Sequence, residues 1–448
     1  MLVSRQASLW SACLTLFVSA ALIGTGSILF PSPASAQDIN DAVTIEDLGF
    51  TQRLAVGARP AGMAGAYVAA GDDVYSLIYN PAGLARIRRI DLSVGFQYAT
   101  NNVNNVFYGT SSETGFSSTT LDAVAIAYPI PTYRGSLVVA GGVWRVMSSQ
   151  FDILNRGFNT DTGTFDDYLL QQSGSVYSYN LGFGVDLAPE LSVGMNGFIL
   201  DGTINALTQF SYRYPPPLQD GEVETATLID DAEVDLDGYG LTLGLQYHPH
   251  HLLHFGLAVT MPTSIDLQGN ALTEEAWYRF NAADEFAVDQ FVVEDDYTIP
   301  FRVDAGVSFT LPQLLLSLDA GYSDWTQAEV NNVRLKDENL NAVFREVVDI
   351  RIGGEYLVPG TPLRLRAGYA LTPYALDDLQ ADRIEGNAIQ KAKVDTERQT
   401  LAAGFGVLLN RVLTIDASFE YQTGKRSIAT LADERTSQRV ALTGSYRF

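Results

Sequence analysis

The chain has almost no cysteine and, after its first residues, no long apolar run. Its one cysteine is Cys13, so the remainder has no thiol for a disulfide, a thiolate metal site or a cysteine nucleophile. No uninterrupted apolar stretch of about 18 residues, the length of a spanning helix, follows residue 36. A helical membrane protein is therefore excluded, and the 39 glycines with 11% aromatic residues favour short twisted strands.

Basic residues are also scarce. The chain has 28 Lys and Arg against 52 Asp and Glu, a net charge of −24, and the phosphate backbone of a nucleic acid would repel it. Motifs of enzymes are missing as well, since the sequence has no Gly-x-Ser-x-Gly elbow, phosphate-binding loop or zinc-protease motif. We expect neither a nucleic-acid partner nor catalysis nor a cofactor.

Two groups of residues could suggest metal binding. The histidines fall at a predicted turn, where neighbouring strand side chains diverge instead of converging on a metal. The acidic stretches contain no twelve-residue calcium loop. We predict that both groups are solvated; they comprise His248, His250, His251 and His254, and the stretches Asp220–Asp237, Asp284–Asp296 and Asp377–Glu385.

The N-terminus carries an export signal. Arg5 is followed by an apolar run from Leu9 to Phe30 and then by Ala34-Ser35-Ala36. A basic start, an apolar middle and a small-residue end are typical of a secretory signal peptide, with cleavage before Gln37. An uncleaved membrane anchor is the alternative. We predict that residues 1–36 are a signal peptide and take no part in the fold.

From residue 90 onward, segments of about ten residues alternate apolar and polar side chains, the period and length of a tilted membrane-spanning strand. In the last segment Val440, Leu442 and Tyr446 share one face, while Arg439 and Thr443 lie on the other. Fourteen such segments are predicted, at 90–99, 121–129, 135–146, 175–187, 190–202, 236–248, 251–261, 299–310, 313–325, 348–357, 361–371, 397–409, 411–422 and 438–448.

The connections between these strands alternate between short and long. Tight turns such as 188–190 and 410–411 are separated by long polar stretches, predicted as loops, at 100–120, 147–174, 203–235, 262–298, 326–347, 372–396 and 423–437. Outer-membrane barrels have this pattern, with short turns on the periplasmic rim and long loops outside. A soluble β-sandwich or propeller would not sort its connections in this way. We therefore predict an all-β fold, a transmembrane antiparallel β-barrel of about 14 strands formed by residues 90–448.

Residues 37–89 do not follow the barrel pattern. They are rich in small residues, and Asn80-Pro81 marks a turn or a helix boundary. A barrel of fourteen strands leaves a lumen too wide for its own side chains to fill. We predict that this segment folds into the lumen as a plug.

Charged residues are expected on the inner faces of the strands. A selectivity filter would carry charges of one sign. Because the signs are mixed, we favour a wall of ion pairs that anchors the plug. Trp144, Trp277 and Trp325 are expected at the lipid boundary or in loops. The predicted lumen-facing charges are Arg302, Asp304, Asp319, Asp349, Arg351, Glu355, Arg364, Arg366 and Glu420.

The segment from Gly57 to Ala85 resembles the N-terminal hatch of the long-chain fatty acid transporter family (FadL, OmpP1 and TodX). The resemblance lies in a Gly-Ala-Arg start, an acidic pair and an Asn-Pro-Ala motif; Leu318–Trp325 and Arg364–Pro373 are also similar to segments of that family. The resemblance covers essentially the whole mature chain. It implies that the hatch residues are Gly57, Arg59, Gly62, Gly65, Asp72, Asp73, Asn80, Pro81, Ala82 and Gly83.

The resemblance implies passive uptake of hydrophobic molecules such as fatty acids or hydrocarbons through the outer membrane, gated by movement of the hatch. Met63-Ala64-Gly65 stands where a double glycine is usual, and the segment also resembles the PorV-like barrels, accessories or shuttles in protein secretion. A general diffusion porin is a third alternative, against which the plug counts. The expected partners are the transported molecules, outer-membrane lipid and lipopolysaccharide, and the barrel-assembly machinery through Phe448.

Overall fold

In the computed structural model, fourteen strands close into one antiparallel barrel. Residues 1–53, which include the predicted signal peptide, lie outside the described part of the chain. The structure describes residues 54–107, 110–160, 162–334, 344–376, 379–381, 390–392, 397–428 and 431–448.

The barrel strands follow one another around the wall in chain order, and each is antiparallel to its neighbours. They are β1 Asp91–Phe107, β2 Thr110–Ile130, β3 Leu137–Asn159, β4 Thr164–Ala188, β5 Leu191–Arg213, β6 Val223–His250, β7 Leu253–Thr260, β10 Arg302–Thr310, β11 Leu314–Asp324, β14 Glu346–Leu357, β15 Leu363–Pro373, β18 Glu397–Leu409, β19 Leu413–Ile428 and β20 Leu431–Arg447.

Further elements are not strands of the barrel wall. A long hairpin projects from the outer rim, and its first strand pairs with the outer part of β6. The two strands of this hairpin are β8 Thr263–Arg279 and β9 Glu285–Ile299. The remaining elements are short: a 3-10 helix Trp325–Gln327, β12 Glu329–Val330, β13 Val333–Arg334, β16 Leu379–Ala381 and β17 Gln390–Ala392.

The barrel closes between its first and last strands. β1 and β20 pair without interruption from Asp91 opposite Arg447 to Phe107 opposite Leu431. The backbones of Ile90 and Phe448 exchange two further hydrogen bonds of 3.1 Å. Both ends of the barrel chain therefore lie on the same rim, the one with the short turns.

Each of the fourteen predicted strands is present, but many extend further outward than the alternation indicates. The stretches 100–120, 147–174, 203–235 and 423–437, predicted as loops, are mostly strand, and 262–298 is mostly the β8–β9 hairpin. Beyond the membrane the outward face of a strand meets water instead of lipid, so the apolar alternation weakens while backbone pairing continues. The predicted loop boundaries were wrong for this reason.

The two faces of the barrel differ as the alternation predicts. On β20, Val440 and Leu442 point outward and are 45% and 51% exposed, whereas Arg439 and Thr443 are buried inside. Apolar side chains cover the outer surface of all the barrel strands, where they can meet lipid. Among the described residues no helix is long and apolar enough to cross a membrane.

The segment from Leu54 to Ile90 folds inside the barrel, and we call it the hatch. It contains the short helices α1 Ala58–Ala61 and α2 Ser76–Tyr79, followed by a 3-10 helix Pro81–Arg86. Nearly all of its residues are buried. Alanine and glycine dominate it, so its backbone lies close to the wall.

Candidate functional site

Glycines of the inner wall make room for the hatch. A Cβ atom on Gly194 or Gly368 would lie 2.3 Å from hatch backbone at Pro81 or Met63. Carbon atoms do not approach so closely, so only glycine fits at these positions. Inner-wall glycines in such contact with the hatch include Gly194, Gly244, Gly256, Gly353 and Gly368. They come from five strands, which shows that the hatch fills the lumen across much of its width.

Asn80 fixes the second half of the hatch. Its Nδ2 donates to the carbonyl oxygens of Val68, at 2.9 Å, and of Leu245 on β6, at 3.1 Å. Its Oδ1 accepts the N–H of Ala82 and so caps the 3-10 helix, whose first residue is Pro81. The Asn-Pro-Ala motif therefore joins the hatch to itself and to the wall.

Arg59 joins the first half of the hatch to the wall. Its guanidinium donates to Asp72 and Asp73 of the hatch and, from Nε at 3.1 Å, to Glu355 on β14. Burial alone would raise the pKa of Asp72, but the Arg59 guanidinium holds it well below its ordinary value. Burial alone would lower the pKa of Arg59, but the carboxylates of Asp72 and Glu355 raise it well above its ordinary value. Arg59 and Asp72 thus both stay charged in mild acid.

Eight of the nine predicted lumen-facing residues form two groups of opposite charges on the wall, while the ninth, Glu420 on β19, pairs with Arg439 of β20. On β14 and β15, Glu355 receives hydrogen bonds from Arg364 and Arg366 as well as from Arg59. The second group lies on β10, β11 and β14. There Arg302 and Arg351 both pair with Asp304 and Asp349, and Asp319 accepts the N–H of Val68 in the hatch.

The other predicted hatch residues include four buried glycines. Gly57 precedes α1 with a φ of +81°, and a Cβ there would meet the Tyr75 ring. Gly62 packs against Gly404 of β18, Gly65 has a φ of +76°, and Gly83 lies against the carbonyl of Gly71. Gly57 and Gly65 thus adopt backbone conformations that favour glycine.

Removal of the Glu355 carboxylate should loosen the hatch. Glu355→Ala leaves three arginines without their common partner, and breaking a buried ion pair costs about 3–5 kcal/mol. We expect higher ion conductance of the purified protein in planar bilayers. The control is Glu434→Ala, because the Lys425–Glu434 pair is exposed and such pairs contribute at most about 1 kcal/mol. Equal conductance of the two variants would contradict the anchoring role of Glu355.

An apolar cluster lies on the outer side of the hatch. On β5, for example, the hatch contacts Gly194, whereas Leu200 and Ile204 of the cluster follow further outward along the strand. We call this group the apolar cluster; it comprises Met147, Val176, Leu200, Ile204, Leu236, Ile265, Leu267, Tyr297, Trp325, Ala328, Val330, Phe344, Val347, Tyr374, Ala375 and Leu376.

A small polar cavity lies beside the hatch. Its volume is about 30 Å³, room for about two waters and too little for a hydrocarbon. Arg351, Arg398 and Arg439 line it together with Glu420. The Arg398 guanidinium also stacks over the ring of Tyr374 in the apolar cluster, 4.2 Å from its centroid. Apolar and cationic surfaces therefore meet at this point.

The wall between β2 and β3 is interrupted, at a place that we call the seam. The two strands pair only from Ile130 opposite Leu137 to Ala123 opposite Trp144. Both strands have a bulge where their pairing stops, at Asp122 and at Val146. Bulges bend strands and end pairing, and they are frequent beside functional sites. Further out, side chains bridge the seam, for example Asn101 Nδ2 to the carbonyl of Gln150 at 3.1 Å.

The hatch is attached at this seam. The Gly57 N–H donates to the Asp122 carboxylate at 3.0 Å, and the Ala58 N–H donates to Thr443 Oγ1 of β20 at 3.0 Å. Asp122 is the bulged residue of β2. The start of the hatch is thus bonded to the residue at which the wall opens.

Several of these features were not predicted from the sequence. The inner-wall glycines and the bulges gave no recognisable signal. The prediction for Trp144 and Trp325 was wrong, because both are buried within the barrel. Trp144 is 0% exposed and lies beside the bulge of β3. Trp325 is 5% exposed and lies just after β11, in the apolar cluster.

The prediction that the histidines are solvated was wrong for His254. His250 and His251 are exposed, while His254 is buried with its Nδ1 3.4 Å from Arg86. Two of the acidic stretches lie largely in β6 and β9, and the third, Asp377–Glu385, falls mostly outside the described residues. Within the described part of the chain no group of His, Cys, Asp or Glu side chains could hold a metal ion.

Fold and site together define a plugged β-barrel of the outer-membrane type. A model of the family described as outer membrane protein transport protein (OMPP1/FadL/TodX) matches residues 52–448. The chain belongs to this family of outer-membrane channels for hydrophobic molecules, which are transport proteins and not enzymes.

Solved structures share the fold. The Pseudomonas putida toluene transporter TodX is 15% identical, with 88% of this chain and 98% of that chain covered and a TM-score of 0.59. The Ralstonia pickettii toluene transporter TbuX is 17% identical, with 88% of this chain and 98% of that chain covered and a TM-score of 0.54. A Pseudomonas aeruginosa FadL homologue is 14% identical, with 88% of this chain and 98% of that chain covered and a TM-score of 0.56. No curated protein matches the chain.

Proposed function

We propose that the protein is a passive channel for long-chain fatty acids and similar hydrophobic molecules, gated by the hatch. The observation that carries this proposal is the apolar cluster in the outer half of the lumen. The interior of a general diffusion porin is polar and filled with water. A buried apolar surface on the outer side of the plug instead suits the capture of apolar molecules.

The closed hatch supports gating. The hatch contacts inner-wall glycines of five strands, and the cavity beside it holds about 30 Å³. We infer that the hatch moves when an apolar molecule leaves the cluster. Gly57, Arg59 and Asn80 bind the hatch to three different parts of the wall, so their bonds must break or shift during passage.

The seam between β2 and β3 supports a sideways exit. It lies at the level where Gly57 of the hatch is bonded to Asp122. The outward-facing side chains beside it are apolar, among them Val124 and Val139. A molecule released there would enter the lipid without crossing the polar lower half of the lumen.

The choice of fatty acids over neutral hydrocarbons rests on Arg398. Its guanidinium stacks on Tyr374 of the apolar cluster and also lines the small polar cavity. A fatty acid could place its chain among the apolar side chains and its carboxylate near this cation. The solved toluene transporters share the fold, so neutral aromatic molecules are the natural comparison in any test.

Charge placed in the apolar cluster should prevent ligand binding. Leu236 is fully buried there, and an aspartate in its place would put an unpaired carboxylate into apolar surroundings, at a cost of several kcal/mol to an apolar ligand. We expect Leu236→Asp to weaken binding of a radiolabelled fatty acid to the purified protein by roughly tenfold or more. Val288→Asp is the matched control, because Val288 is exposed on β9. Equal affinities would refute the cluster as the binding site.

A PorV-like role in secretion is the second candidate, favoured by the hairpin of β8 and β9. Phe286, Val288 and Val292 of β9 are exposed on one face outside the barrel, a surface suited to a protein partner. Co-purification of an exported protein that Val288→Asp abolishes would support this role. Fatty acid binding at the apolar cluster would favour the transporter.

We also propose that lipid and lipopolysaccharide surround the apolar outer face, and that the barrel-assembly machinery recognises the last strand. Phe448 ends that strand with its side chain outward, 58% exposed. Deletion of Phe448 should reduce the amount of folded barrel in outer membranes without changing the uptake rate per folded molecule.

A further inference from the structure

Two neighbouring residues at the seam present hydrogen-bond donors that the described part of the chain does not use. Trp144 and Arg145 are 0% and 1% exposed and lie where β2 and β3 cease to pair. Arg145 Nη2 donates to Gln97 Oε1 at 2.7 Å. Among the described residues, Arg145 Nε and Nη1 and Trp144 Nε1 have no acceptor. Three buried donors on adjacent residues therefore lack a partner within the described ranges.

Arg145 differs from other buried arginines of the lumen. Arg59, Arg351, Arg366 and Arg439 each have a carboxylate within 4 Å. No such ion pair is found for Arg145 in the part of the chain that the structure describes, and the neighbouring carboxylate of Asp122 accepts the Gly57 N–H of the hatch instead. A buried cation with unused donors is expensive, and such groups call for an explanation.

We infer that Arg145 and Trp144 form a binding site for the carboxylate of an amphiphilic substrate at the seam. This inference rests on the proposed sideways exit. One guanidinium and one indole N–H match the single charge and the two oxygens of a carboxylate. The site holds the polar head at the lumen side of the seam while the apolar chain enters the lipid.

The hatch controls access to this site. Asp122 is the bulged residue next to the last β2–β3 pair, and its carboxylate bonds to Gly57 at the start of the hatch. Displacement of the hatch frees Asp122 and uncovers the donors beside it. Neutral hydrocarbons have no group that could use these donors, so Arg145 acts on acids alone.

The test compares an acid with a neutral molecule of equal chain length. Initial uptake of radiolabelled palmitic acid and hexadecane is measured in Gram-negative cells without channels of this family, after subtraction of the empty-vector rate. Loss of hydrogen bonds to a charged group predicts a decrease of roughly tenfold or more in palmitate uptake for Arg145→Gln, with unchanged hexadecane uptake. Trp144→Phe should lower palmitate uptake alone, by a few-fold, and Arg145→Lys should restore part of it.

Arg156→Gln is the matched control, because Arg156 lies on the same strand and is exposed. Heat-modifiable migration on gels confirms folding of every variant. If Arg145→Gln lowers both rates equally, or neither, the carboxylate site is refuted while the channel stands. If the wild-type protein carries neither molecule, the proposed function itself fails.

Discussion

A disulfide between the hatch and the wall should stop transport. The Ala58 N–H donates to Thr443 Oγ1 at 3.0 Å, so the two residues are in direct contact, and cysteines at both positions are the pair to test for a disulfide, whose formation is verified by mass spectrometry. In oxidised Ala58→Cys/Thr443→Cys, we expect uptake of fatty acid to fall to the empty-vector rate. A reducing agent should restore it, because the substitutions themselves are small. No natural cysteine competes for the disulfide, since the only one, Cys13, lies in the predicted signal peptide.

The control for this experiment is a cross-link that leaves the hatch free. Lys425 and Glu434 face each other across β19 and β20, and Lys425→Cys/Glu434→Cys joins only barrel strands. This variant should transport equally well in both redox states. If the oxidised 58/443 variant, with its disulfide verified by mass spectrometry, transports at the wild-type rate, then the hatch does not gate the channel by moving away from β20.

A large side chain on the inner wall should have the opposite effect. A Cβ on Gly368 would lie 2.3 Å from the backbone of Met63 in the hatch, so leucine cannot be accommodated while the hatch is in place. We expect Gly368→Leu to displace the hatch and leave a lumen of fourteen strands open to water. Single-channel conductance in planar bilayers should rise from near zero to the level of an open pore.

The matched variant for this experiment is Gly444→Leu. A Cβ on Gly444 of β20 would have no neighbouring atom within 4 Å, so leucine there has free space. Its conductance should stay at the wild-type level. If the Gly368→Leu barrel folds and remains closed, the hatch can repack around a larger side chain. The inner-wall glycines are then not required to hold the hatch in the lumen.

The alternation of apolar and polar residues was sufficient to predict the barrel. Every barrel strand has a predicted counterpart, because each must present one face to lipid and the other to the lumen. Their outer ends were not predicted, as at Phe107 and Thr110 of the first hairpin, because strands that leave the membrane lose this constraint. Backbone pairing continues there without a pattern in the side chains.

The site was predictable in part. The composition of residues 57–85 and the inward charges indicated a plug held by ion pairs, and the structure places Arg59 against Glu355. Which glycines receive the hatch depends on strands far apart in sequence, such as those of Gly194 and Gly368. The seam depends on bulges, which shift the register by one residue without a distinct sequence signal.

The most direct test of the central claim is uptake of a radiolabelled long-chain fatty acid by Gram-negative cells that lack other channels of this family. Cells with the folded protein in their outer membrane should show a saturable initial rate several times that of empty-vector cells. The rate should fall to the vector level when the 58/443 disulfide forms. An uptake rate equal to that of the vector, with the folded barrel demonstrably present, would contradict the account.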